Sequence, residues 1–105
     1  METEYEFLTI REKIVLLLKR SEKPLTAKEI KEALGIEKEK EVYEHLYHIA
    51  KSSKHKEYEL IVFLPYCRDC NYVFKLDGKI KKPSKCPRCK SRNIEPPRFL
   101  IRDKK

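Results

Sequence analysis

All four cysteines of the chain fall into two matched pairs. Cys67-Arg68-Asp69-Cys70 is answered, after fifteen residues, by Cys86-Pro87-Arg88-Cys89. Two Cys-x-x-Cys pairs at this separation have the ligand spacing of a four-thiolate metal site. Each pair makes a tight loop that turns two sulfurs and several backbone N–H groups toward one point, and two facing loops complete a tetrahedron. The other readings are two disulfides or four free thiols. They are disfavoured because such pairs serve more often as metal or redox groups than as staples. Zinc is the default ion, and iron, which thiolates also hold, is the runner-up. No His, Asp or Glu is needed to complete the set, so the site is closed and structural. Asn71 follows the first pair, where such a loop often requires a left-handed residue, and Asn tolerates that conformation. The equivalent position after the second pair is Lys90, where Gly would be easier.

A second chemistry is carried by charge. Residues 1–60 hold 12 Lys and Arg against 13 Asp and Glu, whereas residues 61–105 hold 13 against 4. The whole excess of the +8 chain therefore sits in the half with the cysteines. Four thiolates and a divalent ion add −2, which leaves that half strongly basic. Such a field favours a polyanion, solubility being the plainer reading. The candidate phosphate contacts are Lys75, Lys79, Lys81, Lys82, Lys85, Arg88, Lys90 and Arg92. No enzyme is expected: His45, His48 and His55 lie on or just after one helix, with no recognisable triad beside them.

The elements that must position these groups follow from local patterns. Thr9-x-x-Glu12 is a capping box that opens a helix, with Ile10, Ile14, Leu17 and Leu18 on one face. Thr26-x-x-Glu29 opens a second, with Ala27, Ile30, Ala33 and Leu34 inward and Gly35 as its left-handed stop. A third runs from about Glu39 to about Ser53, with Val42, Leu46, Ile49 and Ser53 inward. Lys40, Tyr47, His48 and Lys51 face outward and are the candidates for contact with a nucleic acid groove. Leu25 to Leu46 thus has the form of a helix-turn-helix. Tyr58–Leu64 and Arg98–Asp103 read as strands, the second entered through Pro96-Pro97. Residues 98–102 are too apolar for a loose tail and need a partner strand. The fold class expected is α+β, a winged helix-turn-helix of three helices and a two-stranded wing, with the four-cysteine ribbon inserted at the wing tip. The division is 1–64 with 95–105 for the winged part and 65–94 for the ribbon. The ribbon has few apolar residues, among them Tyr66, Tyr72, Val73, Phe74, Leu76, Ile80 and Ile94, so it needs its metal to fold.

This arrangement resembles an archaeal family of predicted transcriptional regulators in which a winged helix carries a rubredoxin-like zinc ribbon. The resemblance rests on Leu25–Leu46, on the order and spacing of Cys67, Cys70, Cys86 and Cys89, and on Tyr66-Cys67-Arg68-Asp69-Cys70-Asn71-Tyr72-Val73-Phe74, which is similar to the first metal loop of rubredoxin. It implies one zinc per chain at the cysteines and a role in transcription or DNA binding. The third helix departs from the pattern: its start carries Glu37, Glu39, Glu41 and Glu44, and lacks a Ser, Thr or Asp cap.

Three functions are consistent with these residues. One is a DNA-binding regulator whose affinity comes from the basic ribbon. Another is an adaptor for a protein partner in the transcription machinery, met by the acidic third helix. The last is a rubredoxin-like iron electron carrier, disfavoured by the attached helices and the basic surroundings. Tyr72 and Phe74 read as ribbon core before they read as base-stacking groups. With no apolar run of membrane length and no basic region at the N-terminus, no membrane contact is expected and a soluble, cytoplasmic protein is. Abundant charge, no Gln and only two Asn fit a chain selected for high temperature.

Overall fold

The computed structural model describes residues 8–76 and 80–104. The acidic stretch with Tyr5 and Phe7, and Lys79, lie outside the described residues. Among the described residues eight helices and strands follow in order, besides one 3₁₀ turn at Ser53–His55: α1 (Ile10–Arg20), β1 (Leu25–Thr26), α2 (Ala27–Leu34), α3 (Glu39–Ser52), β2 (Tyr58–Phe63), β3 (Tyr66–Cys67), β4 (Ile94–Glu95) and β5 (Arg98–Asp103), with the turn between α3 and β2.

Both capping boxes form. Thr9 Oγ1 accepts from the Glu12 N–H at 3.1 Å, and Glu12 Oε1 accepts from the Thr9 N–H at 2.9 Å. Thr26 and Glu29 repeat the exchange at the same two distances. Each box satisfies amides that the first helical turn leaves without partners. Gly35 ends α2 at φ 67°, the left-handed conformation that favours glycine. α3 starts at Lys38 without a side-chain cap. α1 ends under a side chain from the far end of the chain: the Arg102 guanidinium donates to the carbonyls of Leu18 and Ser21, at 3.4 and 2.9 Å. Those carbonyls have lost their helical partners, and the cation also suits the helix C-terminus.

The two strands expected to flank the ribbon pair antiparallel, from Tyr58↔Asp103 to Phe63↔Arg98. β5 also pairs with β1, through Leu25↔Phe99 and Thr26↔Arg98, so the sheet order is β1-β5-β2 with β5 in the middle. β1 has only two residues and carries no strand pattern of its own. Leu64 falls beyond the end of β2 and is exposed. The core lies between this sheet and the helices. Ile14, Leu18, Ile30, Val42, Leu46 and Ile49 meet Phe99 and Ile101 there, all essentially without solvent exposure. Tyr43 stands edge-on to Phe99, ring centroids 6.3 Å apart. Two residues expected inward are not: Ile10 is 43% exposed and Ala33 is exposed. Both sit near the ends of short helices, where the apolar stripe has turned past the core.

A second, two-stranded sheet pairs β3 with β4 through Tyr66↔Glu95 and Cys67↔Ile94. Its small cluster holds Cys67, Cys86 and Ile94, with Cys70, Tyr72 and Phe74 against it. Leu76 and Ile80 were expected to serve this ribbon. Instead they pack on the helical core, Ile80 buried and Leu76 partly so. On either side of residues 77–79, Leu76 and Ile80 therefore lie against the helical core. The ribbon keeps too little apolar surface to retain them.

Candidate metal centre and the basic surface around it

The two cysteine loops are built alike. In the first, the Asn71 N–H donates to the Cys67 carbonyl at 2.8 Å and the Cys67 N–H to the Tyr72 carbonyl at 2.8 Å. In the second, Lys90 N–H donates to Cys86 at 2.9 Å and Cys86 N–H to Ser91 at 2.8 Å. Each loop closes on a left-handed residue, Asn71 at φ 64° and Lys90 at φ 65°. Asn adopts that conformation readily, whereas Lys is strained in it. That the second loop keeps it with a lysine shows how tightly its geometry is imposed.

The loops bring all four sulfurs within 4.8 Å of one another. The Cys67–Cys89 and Cys70–Cys86 separations are 3.5 and 3.6 Å. A tetrahedron with metal–sulfur bonds of about 2.3 Å has edges of about 3.8 Å, so the set fits a single tetrahedral ion. The cysteines are free of disulfides. As thiols they do not ionise alike. Burial opposes ionisation of Cys86, but the Cys89 and Arg88 N–H groups and the neighbouring thiols outweigh it and bring it down to about 7. The Ser91 N–H eases ionisation of Cys89, yet burial and the other three sulfurs push it up to about 12. Burial also raises Cys70. Four thiolates so close cannot coexist without a cation, which is what a metal supplies. The donor set, its size and its charge therefore fit one metal ion held by Cys67, Cys70, Cys86 and Cys89.

A polar chain ties this centre to the helices. Asp69, between the first two cysteines, accepts from the Ser91 hydroxyl and, at 3.3 Å, from Asn93 Nδ2; these hydrogen bonds hold its carboxyl below the usual range. Arg68 donates to Asn93 Oδ1 at 3.0 Å and to Glu95. Glu95 accepts in turn from Arg98, at 2.8 and 3.2 Å, and its pKa is lowered first by that bond and then by Arg68. Arg98 also lies 3.6 Å from Glu29, the capping residue of α2.

The basic candidates divide into two groups. Lys75, Lys85, Arg88, Lys90 and Arg92 are exposed around the ribbon, and the Arg88 guanidinium lies 5.6 Å from the Tyr72 ring. Tyr72 and Phe74 are edge-to-face at 5.1 Å against the cysteine cluster, the core role expected of them. Lys81 and Lys82 belong elsewhere. With Ile80 they form one wall of a groove of about 670 Å³, whose other wall is α3 with Lys40, Tyr47 and His48. Lys51, the last α3 candidate, is exposed and lies over the Tyr47 ring at 5.1 Å. Sequence reasoning missed Tyr43, which lines the same groove at 8% exposure. Burial, and then Glu39, push its phenol well above the ordinary range, and its hydroxyl has no hydrogen-bond partner among the described residues. Its position one residue after Val42 made it part of a wide apolar stripe, the only signal available.

No helix among the described residues is long and apolar enough to cross a membrane. No curated protein matches the chain. Two family models do. Residues 9–61 match the PF0610-like N-terminal domain, and residues 65–104 match the PF0610 rubredoxin-like zinc β-ribbon domain. The solution NMR structure of protein PF0610 from Pyrococcus furiosus is similar over 90% of both chains, at 36% identity and a TM-score of 0.72. The first family model ends within β2 and the second begins just after it, although β5, in the second, is the middle strand of a sheet with β1 and β2 at its edges. With an α+β fold, a four-cysteine centre and both matches in the same order, the chain belongs to the PF0610-like family, with a rubredoxin-like zinc ribbon in its C-terminal part.

Proposed function

We propose that the protein is a DNA-binding transcriptional regulator of the winged-helix type, holding one structural zinc at Cys67, Cys70, Cys86 and Cys89. The element order α1-β1-α2-α3-β2-β5 and the sheet order β1-β5-β2 support the winged reading. In it, residues 1–64 and 95–105 form the winged unit and 65–94 a ribbon set into the wing. Zinc rather than iron suits a closed thiolate site with no redox task, and a colourless protein distinguishes it from red ferric iron.

The observation that carries DNA binding is the exposed basic surface formed by Lys75, Lys85, Arg88, Lys90 and Arg92 around the ribbon and by Lys81 and Lys82 on the loop beside α3. Lysines and arginines that neutralise phosphates release counterions, so affinity falls steeply with salt. Binding to random duplex is expected on the order of 10⁻⁴–10⁻⁶ M at physiological salt. Replacing Lys81, Lys82 and Lys85 by Ala removes three phosphate contacts and shrinks the slope of log K against log[salt] by roughly 2.7. Replacing Lys40 and Lys51 changes it less. The glutamates at the start of α3 favour a second reading, an adaptor for a protein partner in transcription. Absence of DNA binding at low salt would select that reading.

A further inference from the structure

The groove between α3 and the segment joining the two cysteine pairs has no part in metal binding. Three observations bear on what it takes. The first is steric. A helix with its side chains is about 10–12 Å across, and the major groove of B-DNA is about 12 Å wide, room for one bare helix. Here α3 is not bare. Ile80 is buried in the same apolar cluster as Val42, Tyr43 and Leu46, and Lys81 and Lys82 continue the wall beside the helix. Helix and loop together are too wide to enter the groove of a duplex.

The second is the chemistry of the lining. Tyr47 and His48 present two aromatic rings, edge-to-face with centroids 5.7 Å apart. Both kinds of ring stack on unpaired bases. Lys81 and Lys82 lie on the loop wall, whereas the helix wall carries Glu39 and Glu44 against the single Lys40. Carboxylates repel phosphate but accept from the exocyclic amines of bases. A ligand with phosphates along one edge and base edges along the other matches this division; a duplex turns its phosphates toward both walls. The third is Tyr43, which lines the groove and whose buried hydroxyl has no partner among the described residues, an unmet polar group beside the proposed base-binding wall.

We propose that this groove binds a single DNA strand, its backbone along Lys81 and Lys82 and its bases against Tyr47 and His48. The inference rests on the nucleic-acid reading above and narrows it from duplex to unpaired strand. The groove then remains useful where DNA is locally melted, and the glutamates at the start of α3 become base-reading groups rather than a defect.

The test uses the zinc-loaded full chain and a labelled mixed-sequence oligonucleotide, either single or annealed to its complement, followed by fluorescence anisotropy at low salt. The single strand is expected to bind about tenfold more tightly than the duplex, the scale of one or two stacked bases. Tyr47→Ala and His48→Ala, each checked for retained zinc and helix content, are expected to weaken single-strand binding by about five- to tenfold and to leave duplex binding unchanged. Equal or tighter duplex binding overturns the proposal, as does single-strand affinity unchanged in both variants; either result leaves ribbon-driven DNA binding standing. A polyglutamate peptide that displaces the strand at equal charge also overturns it, because the groove would then read charge alone. No binding of either DNA at low salt removes the nucleic-acid reading as well.

Discussion

The helical half and the ribbon of this chain are folded by different forces. The helical half buries Ile14, Leu18, Ile30, Val42, Leu46, Ile49, Phe99 and Ile101 out of solvent. Its stability is that of an ordinary apolar core. Among the described residues the ribbon's own buried cluster is Cys67, Cys86 and Ile94, with Pro65 buried at its edge, and Val73 is left 53% exposed. It even gives up Leu76 and Ile80 to its neighbour. Without thiolate–metal bonds such a piece has nothing to offset its conformational entropy, whereas a structural zinc contributes about 10–16 kcal/mol. Five of the exposed basic residues, Lys75, Lys85, Arg88, Lys90 and Arg92, are thus displayed on the part of the molecule expected to depend on metal for its order, whereas Lys81 and Lys82 lie beside the helical core.

The two halves share one strand, which offers the strongest way to break the distinction. β5 follows the ribbon in sequence but is the centre of the helical half's sheet. Phe99→Ala removes a fully buried ring that meets Tyr43 and both neighbouring strands. Chemical denaturation should show a loss of about 3–5 kcal/mol in the helical transition. The thiol reactivity of the zinc-loaded cysteines should stay low, since the ribbon cluster is separate. A variant that exposed the cysteines as readily as it melted the helices would show that the halves fold as one.

A smaller effect sharpens the electrostatic side. His45 lies half-buried on α3 beside the outer face of α1, and its Nδ1 has no partner among the described residues. Its pKa is lowered, first by burial and then by Arg11, with His48 in the same direction and Glu41 and Glu44 opposing. Because the folded protein takes up this proton less readily than the unfolded chain, the associated stability is present above the ordinary histidine range. It is lost as the pH falls below it. Melting temperature should therefore drop modestly between about pH 7.5 and about 5.5. His45→Gln should flatten that slope, while the ribbon's carboxylates Asp69 and Glu95, both lowered, stay ionised throughout. An unchanged slope would assign it to other groups.

What the sequence made legible was local. Capping boxes, the Gly35 stop and the paired cysteine loops each depend on residues three to five apart, and each formed as read. Asn71 shows the same thing, since its left-handed backbone is a property of one residue and its loop. What escaped was set by distant partners. Leu25–Thr26 is a strand only because Phe99 and Arg98 lie beside it. Leu76 and Ile80 look like ribbon residues until they lie against the helical core, and Tyr43 looks like one more apolar position until the groove beside it exists. Arg102 as the cap of α1 joins residues more than eighty apart, and no periodicity records that.

The central claim is that metal orders the ribbon while the helical half stands on its core. Loss of the ribbon would leave 34 residues between Phe63 and Arg98 as a loop. Relative to a hairpin loop of about four residues that is about three doublings in length, or roughly 2 kcal/mol of closure entropy, which an apolar core of this size tolerates. The direct measurement is a two-dimensional amide NMR spectrum of the zinc-loaded protein before and after complete chelation. Resonances of residues 66–95 should collapse to unfolded positions, while those of α1, α2, α3, β2 and β5 keep their dispersion. Collapse of the whole spectrum together, or a ribbon that keeps its dispersion without metal, would contradict the account.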